Sequence, residues 1–130
     1  MDSPEIPMIS SRPYLLKAMF DWIVDNDCTP YVLVDASIAG VSVPQNFVKA
    51  GEIVLNVSPG AVVGMDMNME SLSFNARFGG VPTDIYTPII AIKGIYAREN
   101  GKGMMFEYEE LPPEPSTPKK PNRPSLTVVK

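Results

Sequence analysis

The sequence predicts an α+β domain in which one N-terminal helix precedes a small β-sandwich or partly open barrel, followed by a disordered Pro-rich tail. Three observations predict this class. Apolar residues recur at helical spacing near the N-terminus, over residues 12–26. Short β-prone runs separated by Gly and Pro turns then extend to residue 106. Six prolines lie between residues 112 and 124, a stretch that contains no other apolar residue.

The helix is predicted to begin at Ser10 or Ser11, either of which can cap it. Pro13 suits the first turn because its missing N–H needs no partner there. Apolar side chains then recur within the helix at Leu15, Leu16, Ala18, Met19, Phe20, Trp22, Ile23 and Val24. At about 100° per residue they cover an arc of roughly 240°, whereas a helix on the surface of a monomer needs little more than ~100°.

This wide apolar arc predicts two buried sides. One side covers the sheet of the same domain, and we interpret the other as a homodimer interface. A helix sunk deep in its own core is the alternative. The residues predicted for the interface are Tyr14, Leu15, Ala18, Met19 and Trp22.

About six short strands are predicted after the helix. The β-prone runs are residues 31–35, 38–43 around a turn at Gly40, 52–57, 71–78, 85–87 and 104–106. Residues 71–78 alternate best, with Leu72, Phe74, Ala76 and Phe78 on one face. Gly79-Gly80 ends that strand. Residues 88–98 contain a long apolar run that is ambiguous between strand and helix.

The two ends of the chain differ from its centre. Residues 1–11 are predicted to be a flexible N-terminus, and residues 112–122 a disordered, semi-rigid linker, because so Pro-rich a segment cannot bury enough apolar surface to fold. The last residues, 125–130, are again β-prone and apolar. An exposed apolar terminus favours a docking peptide over the alternative, a strand that returns to the domain.

Composition excludes several functions. The chain has no histidine and one cysteine, Cys28, so the usual general base, a zinc cluster and an internal disulfide are all absent. No metal, cofactor or enzymatic activity is therefore expected. A net charge of −4 disfavours nucleic acid as a partner. Neither a secretory signal nor a membrane-spanning stretch is present, which predicts a cytoplasmic protein.

Several stretches, taken in order, resemble the bacterial stringent starvation protein B family, the adaptor of the ClpXP protease. They are RPYLL at 12–16, VLVD at 32–35, GEIVLN at 51–56, FNARFG at 74–79, IYARENG at 95–101, MFE at 105–107 and RPSLTVVK at 123–130. The resemblance implies a broadly Sm-like, β-rich domain over residues 12–111 that both binds peptides and forms a homodimer through its helix. A small β-barrel RNA- or ribosome-associated protein is the alternative function, and a purely structural dimerisation module is another.

The resemblance also implies two partners. The first is the ssrA tag, which is added to stalled translation products during ribosome rescue. The second is the zinc-binding N-terminal domain of the ClpX unfoldase, docked by residues 123–130. The docking residues implied are Arg123, Pro124, Leu126, Val128, Val129 and Lys130. Delivery would then proceed by tethering, without a chemical step.

Carried over to this sequence, the tag-binding groove is expected on the strand at residues 74–78 and on the turn that precedes residue 62. The residues expected to line it are Val57, Ser58, Ala61, Phe74, Asn75, Ala76, Arg77 and Phe78. Small Ala76 leaves space, Arg77 can meet an acidic tag side chain, and the strand backbone can pair with the peptide. For Phe74 and Phe78 the alternative is plain core packing, and for Arg77 it is a surface charge.

Overall fold

The structure, a computed structural model, describes residues 8–107. Its elements are helix α1 (Arg12–Asp25) and strands β1 (Pro30–Asp35), β2 (Glu52–Asn56), β3 (Val62–Met67), β4 (Ser71–Phe78), β5 (Val81–Pro88), β6 (Ile92–Ala97) and β7 (Gly103–Met105). Short 3₁₀ turns occupy Gln45–Phe47 and Ile89–Ala91. The linker and docking peptide predicted at 112–122 and 123–130 lie outside the described residues.

The strands form two antiparallel sheets. Sheet A has the order β2-β1-β6-β7, and sheet B has the order β3-β4-β5. With α1 they enclose one apolar core, whose fully buried side chains include Leu16, Val32, Val34, Leu55, Leu72, Ile92 and Ile95. Helix plus partly open barrel is the architecture that the sequence predicts, and the predicted fold class is confirmed.

Helix α1 begins and ends close to the predicted positions. Ser11 is the N-cap residue, while the Ser10 hydroxyl accepts a hydrogen bond of 3.1 Å from the Arg12 backbone N–H. The helix ends at Asp25, one residue earlier than expected. Leu16 and Ile23 are buried against the sheets. The helix therefore covers its own domain with one side, as predicted.

The other side of α1 is exposed in the chain. Trp22 is 48% exposed, and Tyr14, Leu15 and Ala18 are exposed as well. Met19, the fifth residue predicted for the dimer interface, is half-buried and packs against the domain's own core. Four of the five side chains thus share an uncovered face, and a helix sunk deep in its own core is ruled out.

The strand predictions were right for β1, β2 and β4 and incomplete elsewhere. The ambiguous residues 88–98 form the turn Ile89–Ala91 and then β6. Residues 38–43 contribute only an isolated bridge between Ser42 and Tyr86. Strand β3 was missed, because its register shifts between Val63 and Asp66, around Gly64, and this shift breaks the apolar alternation. Seven strands are therefore present among the described residues, one more than predicted.

Arg12 has a role that the sequence gives no sign of. It is only 5% exposed. Its Nη1 donates to the carbonyl oxygens of Ile90 (3.1 Å) and Ile92 (3.0 Å), and its Nη2 donates to that of Glu107. The guanidinium also lies 5.3 Å from the centre of the Phe106 ring. We call this arrangement the Arg12 clamp; it ties the start of α1 to β6 and to the last described residues.

Candidate functional site: a groove beside the open edge of β2

Strand β4, on which the groove was expected, lies in the middle of sheet B. It pairs with β5 along its whole length and with β3 as far as Ala76. A strand paired on both sides has no main-chain edge to offer a ligand. The expectation that the β4 backbone itself pairs with a peptide is therefore wrong up to Ala76, and a free edge must be sought elsewhere.

The hairpin between β4 and β5 shapes one wall of a groove. Gly79 and Gly80 both have positive φ, at 58° and 82°. A two-residue hairpin of type I′ requires positive φ at both central positions, which glycine adopts without strain. The turn is held by a 2.8 Å hydrogen bond from Arg77 Nη1 to the Gly80 carbonyl. This bond leaves most of the guanidinium donors of the exposed Arg77 available to a ligand.

The groove itself is a cavity of about 410 Å³ between this hairpin and β2. Its lining residues are Tyr31, Phe47, Val54, Asn56, Ala61, Ala76, Arg77, Phe78 and Gly79. Four of the eight predicted residues, Ala61, Ala76, Arg77 and Phe78, therefore come together in one place. The rings of Phe47 and Phe78 meet edge to face at 5.3 Å and form an apolar end of the groove.

The other four predicted residues are engaged elsewhere. Val57 and Phe74 are buried in the core, so the core-packing alternative holds for Phe74. The backbone N–H and the hydroxyl of Ser58 both donate to Asn56 Oδ1, at 3.0 and 2.8 Å. Asn75 Nδ2 donates to Asp84 Oδ1 at 2.8 Å on the outer face of sheet B. None of these four lines the groove.

Sequence reasoning missed several lining residues, most clearly Tyr31, Phe47 and Val54. One signal was available for Val54. Alternation in β2 buries Ile53 and Leu55, so the valine between them points to the opposite face, where it is 43% exposed. Phe47 sits in the short turn Gln45–Phe47, and its contact with Phe78 depends on folding at long range.

The edge of β2 carries unpaired backbone groups that face this groove. The N–H of Val57 bonds to the carbonyl of Pro30, and the N–H of Ala36 bonds to the carbonyl of Gly51. In an antiparallel ladder, odd-numbered residues of β2 then point their backbone groups at β1, and even-numbered ones point away. Of the latter, Glu52 exchanges both bonds with Lys49. The backbone groups of Val54 and Asn56 are left without a strand partner among residues 8–107.

The charged groups around the sheets are mostly paired with neighbours. The Glu52 carboxylate bonds to Lys93 and raises the pKa of that lysine. Within residues 8–107, no three His, Cys, Asp or Glu side chains are grouped so that they would hold a metal ion. In the same part of the chain no helix has the length and apolarity needed to cross a membrane. The groove lining thus offers hydrogen-bonding and apolar contacts.

Fold and groove together define a class of protein: a small α+β domain whose barrel is open along the edge of β2, beside a groove suited to an extended chain. The family model for SspB, described as Stringent starvation protein B, matches residues 10–130 of this chain. A Stringent starvation protein B homolog from Haemophilus influenzae is 52% identical over 110 residues, which make up 82% of this chain and 73% of that protein. The chain belongs to the SspB family, and this membership supports an adaptor of the SspB type.

Proposed function

We propose that this protein is a cytoplasmic homodimeric adaptor that binds ssrA-tagged polypeptides and delivers them to the ClpXP protease by tethering. One observation carries the proposal: in a member of the SspB family, a groove runs beside a strand edge whose backbone groups at Val54 and Asn56 have no strand partner within residues 8–107. Addition of a peptide strand to such an edge is a common mode of peptide recognition. No cofactor takes part.

The groove has a distinct role for each of its walls. Main-chain bonds to Val54 and Asn56 hold the peptide extended, whatever its sequence. The Phe47–Phe78 pair receives an apolar side chain, and the space above Ala76 admits it. Arg77 pairs with an acidic side chain of the tag through a charge-assisted hydrogen bond. Affinity and selectivity thus come from different groups.

Delivery depends on parts of the protein at a distance from the groove. Residues 123–130 dock on the N-terminal domain of ClpX, and the linker at 112–122 connects them to the groove-bearing domain. The tag then meets the protease at an effective concentration on the order of millimolar. The exposed α1 face with Tyr14, Leu15, Ala18 and Trp22 joins two copies, so each adaptor carries two docking peptides.

Titration of a fluorescein-labelled ssrA peptide with the full chain, followed by fluorescence anisotropy, tests tag binding. Saturable binding is expected, and Arg77→Glu should weaken it by about tenfold or more, since one charge-assisted contact becomes a repulsion. Lys102→Glu is the matched control, because Lys102 is also exposed but lies in the turn between β6 and β7, outside the groove lining. A peptide that does not bind the unmodified chain would contradict the proposal.

Removal of residues 126–130 tests tethering separately. The shortened chain should bind the labelled peptide unchanged but no longer accelerate degradation of a tagged protein by ClpXP. Continued acceleration would show that delivery does not need the docking peptide. The same preparations, analysed by sedimentation, test dimerisation: Trp22→Asp should yield a monomer, whereas Lys17→Ala on the polar side of α1 should not.

A further inference from the structure

Sheet A has a second face, turned away from the core, and one cross-strand row on it is apolar. Val54 lies opposite Leu33, Leu33 opposite Gly94, and Gly94 opposite Met105, so the row crosses all four strands. We call these four residues the outer row. Their strand neighbours Val32, Ile53 and Ile95 point the other way, into the core.

The outer row is accessible and smooth. Met105 is 61% exposed and Val54 is 43% exposed, whereas Leu33 is half-buried without packing against the core. The Met105 side chain lies flat over Gly94, because a Cβ atom at that position would collide with the methionine sulfur. Only glycine at residue 94 permits this arrangement, which spreads a flexible, polarisable side chain across two strands.

Polar and aromatic groups border the outer row on both sides. On one side Tyr31 and Tyr96 stand opposite each other with ring centroids 5.9 Å apart. On the other side Glu52 is bonded to Lys93, with Asp35 opposite Glu52 across the strand pair. An apolar strip with a polar rim is the pattern of a docking surface rather than of scattered surface residues.

The outer row is continuous with the groove. Tyr31 and Val54 line the groove with side chains that belong to the outer face of sheet A. The open edge of β2 stops beyond Val54, because Lys49 takes both backbone bonds of Glu52. One end of an extended chain that follows the edge must therefore leave it at Val54, and the apolar surface next to that point is the outer row.

We propose that the outer row binds the segment of a tagged polypeptide that immediately precedes its ssrA tag. This inference rests on the proposed function. A tag ends its polypeptide, so the chain that continues out of the groove is the one before the tag. With strands about 4.8 Å apart, the row spans roughly 14 Å, the length of about four extended residues. The sequence of that segment differs between substrates, and a flexible methionine over a flat glycine accommodates such variety.

The test compares two fluorescein-labelled peptides with the full chain by anisotropy. Each carries the ssrA tag after a six-residue extension, one alternating serine with leucine, the other made of glycine and serine. The leucine peptide should bind about five- to tenfold more tightly, as expected for partial burial of an apolar side chain. Met105→Glu should remove that difference. Met69→Glu should keep it, because Met69 is an exposed methionine in the distant turn between β3 and β4.

Every outcome of this test either supports or overturns the inference. Equal binding of the two peptides by the unmodified chain overturns the inference and leaves the proposed function standing. A leucine preference that survives Met105→Glu also overturns it, since another surface is then responsible. A change of sedimentation with Met105→Glu would assign the outer row to a second copy of the chain and overturn it as well. If neither peptide binds at all, the proposed function fails, and the inference fails with it.

Discussion

Two regions at the margin of sheet A are treated in opposite ways. Around the start of β6 and just after β7, the Arg12 clamp donates to three carbonyl oxygens, and its guanidinium is buried. At the β2 edge the backbone groups of Val54 and Asn56 have no strand partner in residues 8–107, and apolar side chains stay exposed beside them. The first region, which we call the clamped region, is closed by contacts within the protein. The second is left open.

This difference separates residues that stabilise the fold from residues that we propose bind the tag. Buried polar groups in folded proteins are almost always hydrogen-bonded, because an unpaired one costs about 1–3 kcal/mol. Pairing three carbonyl oxygens with a buried arginine therefore stabilises the fold. The open β2 edge gains no such stabilisation from residues 8–107, and it is the edge at which we propose that the tag pairs.

Substitution of Arg12 by Met should have the largest effect on the clamped region. Met keeps much of the apolar stem but leaves the Ile90, Ile92 and Glu107 carbonyls without their donor. We expect the free energy of unfolding to fall by about 2–4 kcal/mol, measured by urea denaturation. Affinity for the ssrA peptide should not change in the folded fraction.

Lys17→Met provides the matched control for that substitution. Lys17 pairs with Asp21 at 2.7 Å, but both side chains are more than half exposed. Such surface pairs contribute about 0–1 kcal/mol, so this variant should be nearly as stable as the unmodified chain. If Arg12→Met is equally mild, the clamp does not stabilise this region and the contrast with the open β2 edge is lost.

A proline at residue 54 tests the open edge of β2 instead. The Val54 N–H points away from β1, so proline removes a donor facing the groove while sparing the ladder between β1 and β2. The affinity for the ssrA peptide should fall by about tenfold, the value of one lost main-chain bond. Anisotropy titration measures it.

Val54→Thr is the control at the same position, since it keeps the N–H and the β-branched shape. It should bind the tag within about twofold of the unmodified chain. Equal affinity for the proline and threonine variants would show that the peptide does not pair with β2. The groove would then act through its side chains alone.

Local pattern was enough to predict some parts of this protein. The spacing of Leu16 and Ile23 predicts α1, and the alternation from Leu72 to Phe78 predicts β4 with its buried face. The double glycine predicts the end of β4, and both glycines adopt the positive φ that a tight type I′ hairpin requires. Each of these depends on residues within a few positions of one another.

Pairing between residues distant in the sequence determined the parts of the fold and groove that local pattern did not predict. Whether β4 is central or at an edge depends on β3. Local pattern did not predict this strand, because its register shifts between Val63 and Asp66. The groove takes Tyr31 from β1 and Phe47 from a turn, and no local pattern links them to Phe78. The resemblance to a known family predicted the groove residues Ala76, Arg77 and Phe78. It also predicted Val57 and Phe74, which are buried in the core instead.

The smallest predicted effect concerns Glu99, an exposed residue whose carboxylate is also paired within the domain. Glu99 follows β6, and its carboxylate accepts bonds from the Thr29 backbone N–H (2.8 Å) and the Thr29 hydroxyl (2.7 Å). These two bonds, the backbone one first, lower the pKa of Glu99 from 4.5 to about 2. The contact joins the start of β1 to the end of β6.

A depressed pKa in the folded state means that the contact adds stability above pH 4.5 and loses it as the pH falls towards about 2. Thr29→Val removes the hydroxyl and keeps the N–H, so the pKa of Glu99 should rise only part of the way to 4.5. NMR titration of the Glu99 carboxyl carbon measures it. Thr83→Val, which removes a hydroxyl bonded to Val81 in sheet B, should leave Glu99 unchanged. An unaltered titration in the Thr29 variant would mean that the backbone N–H alone holds the carboxylate, and that the contact between the start of β1 and the end of β6 does not depend on the Thr29 hydroxyl.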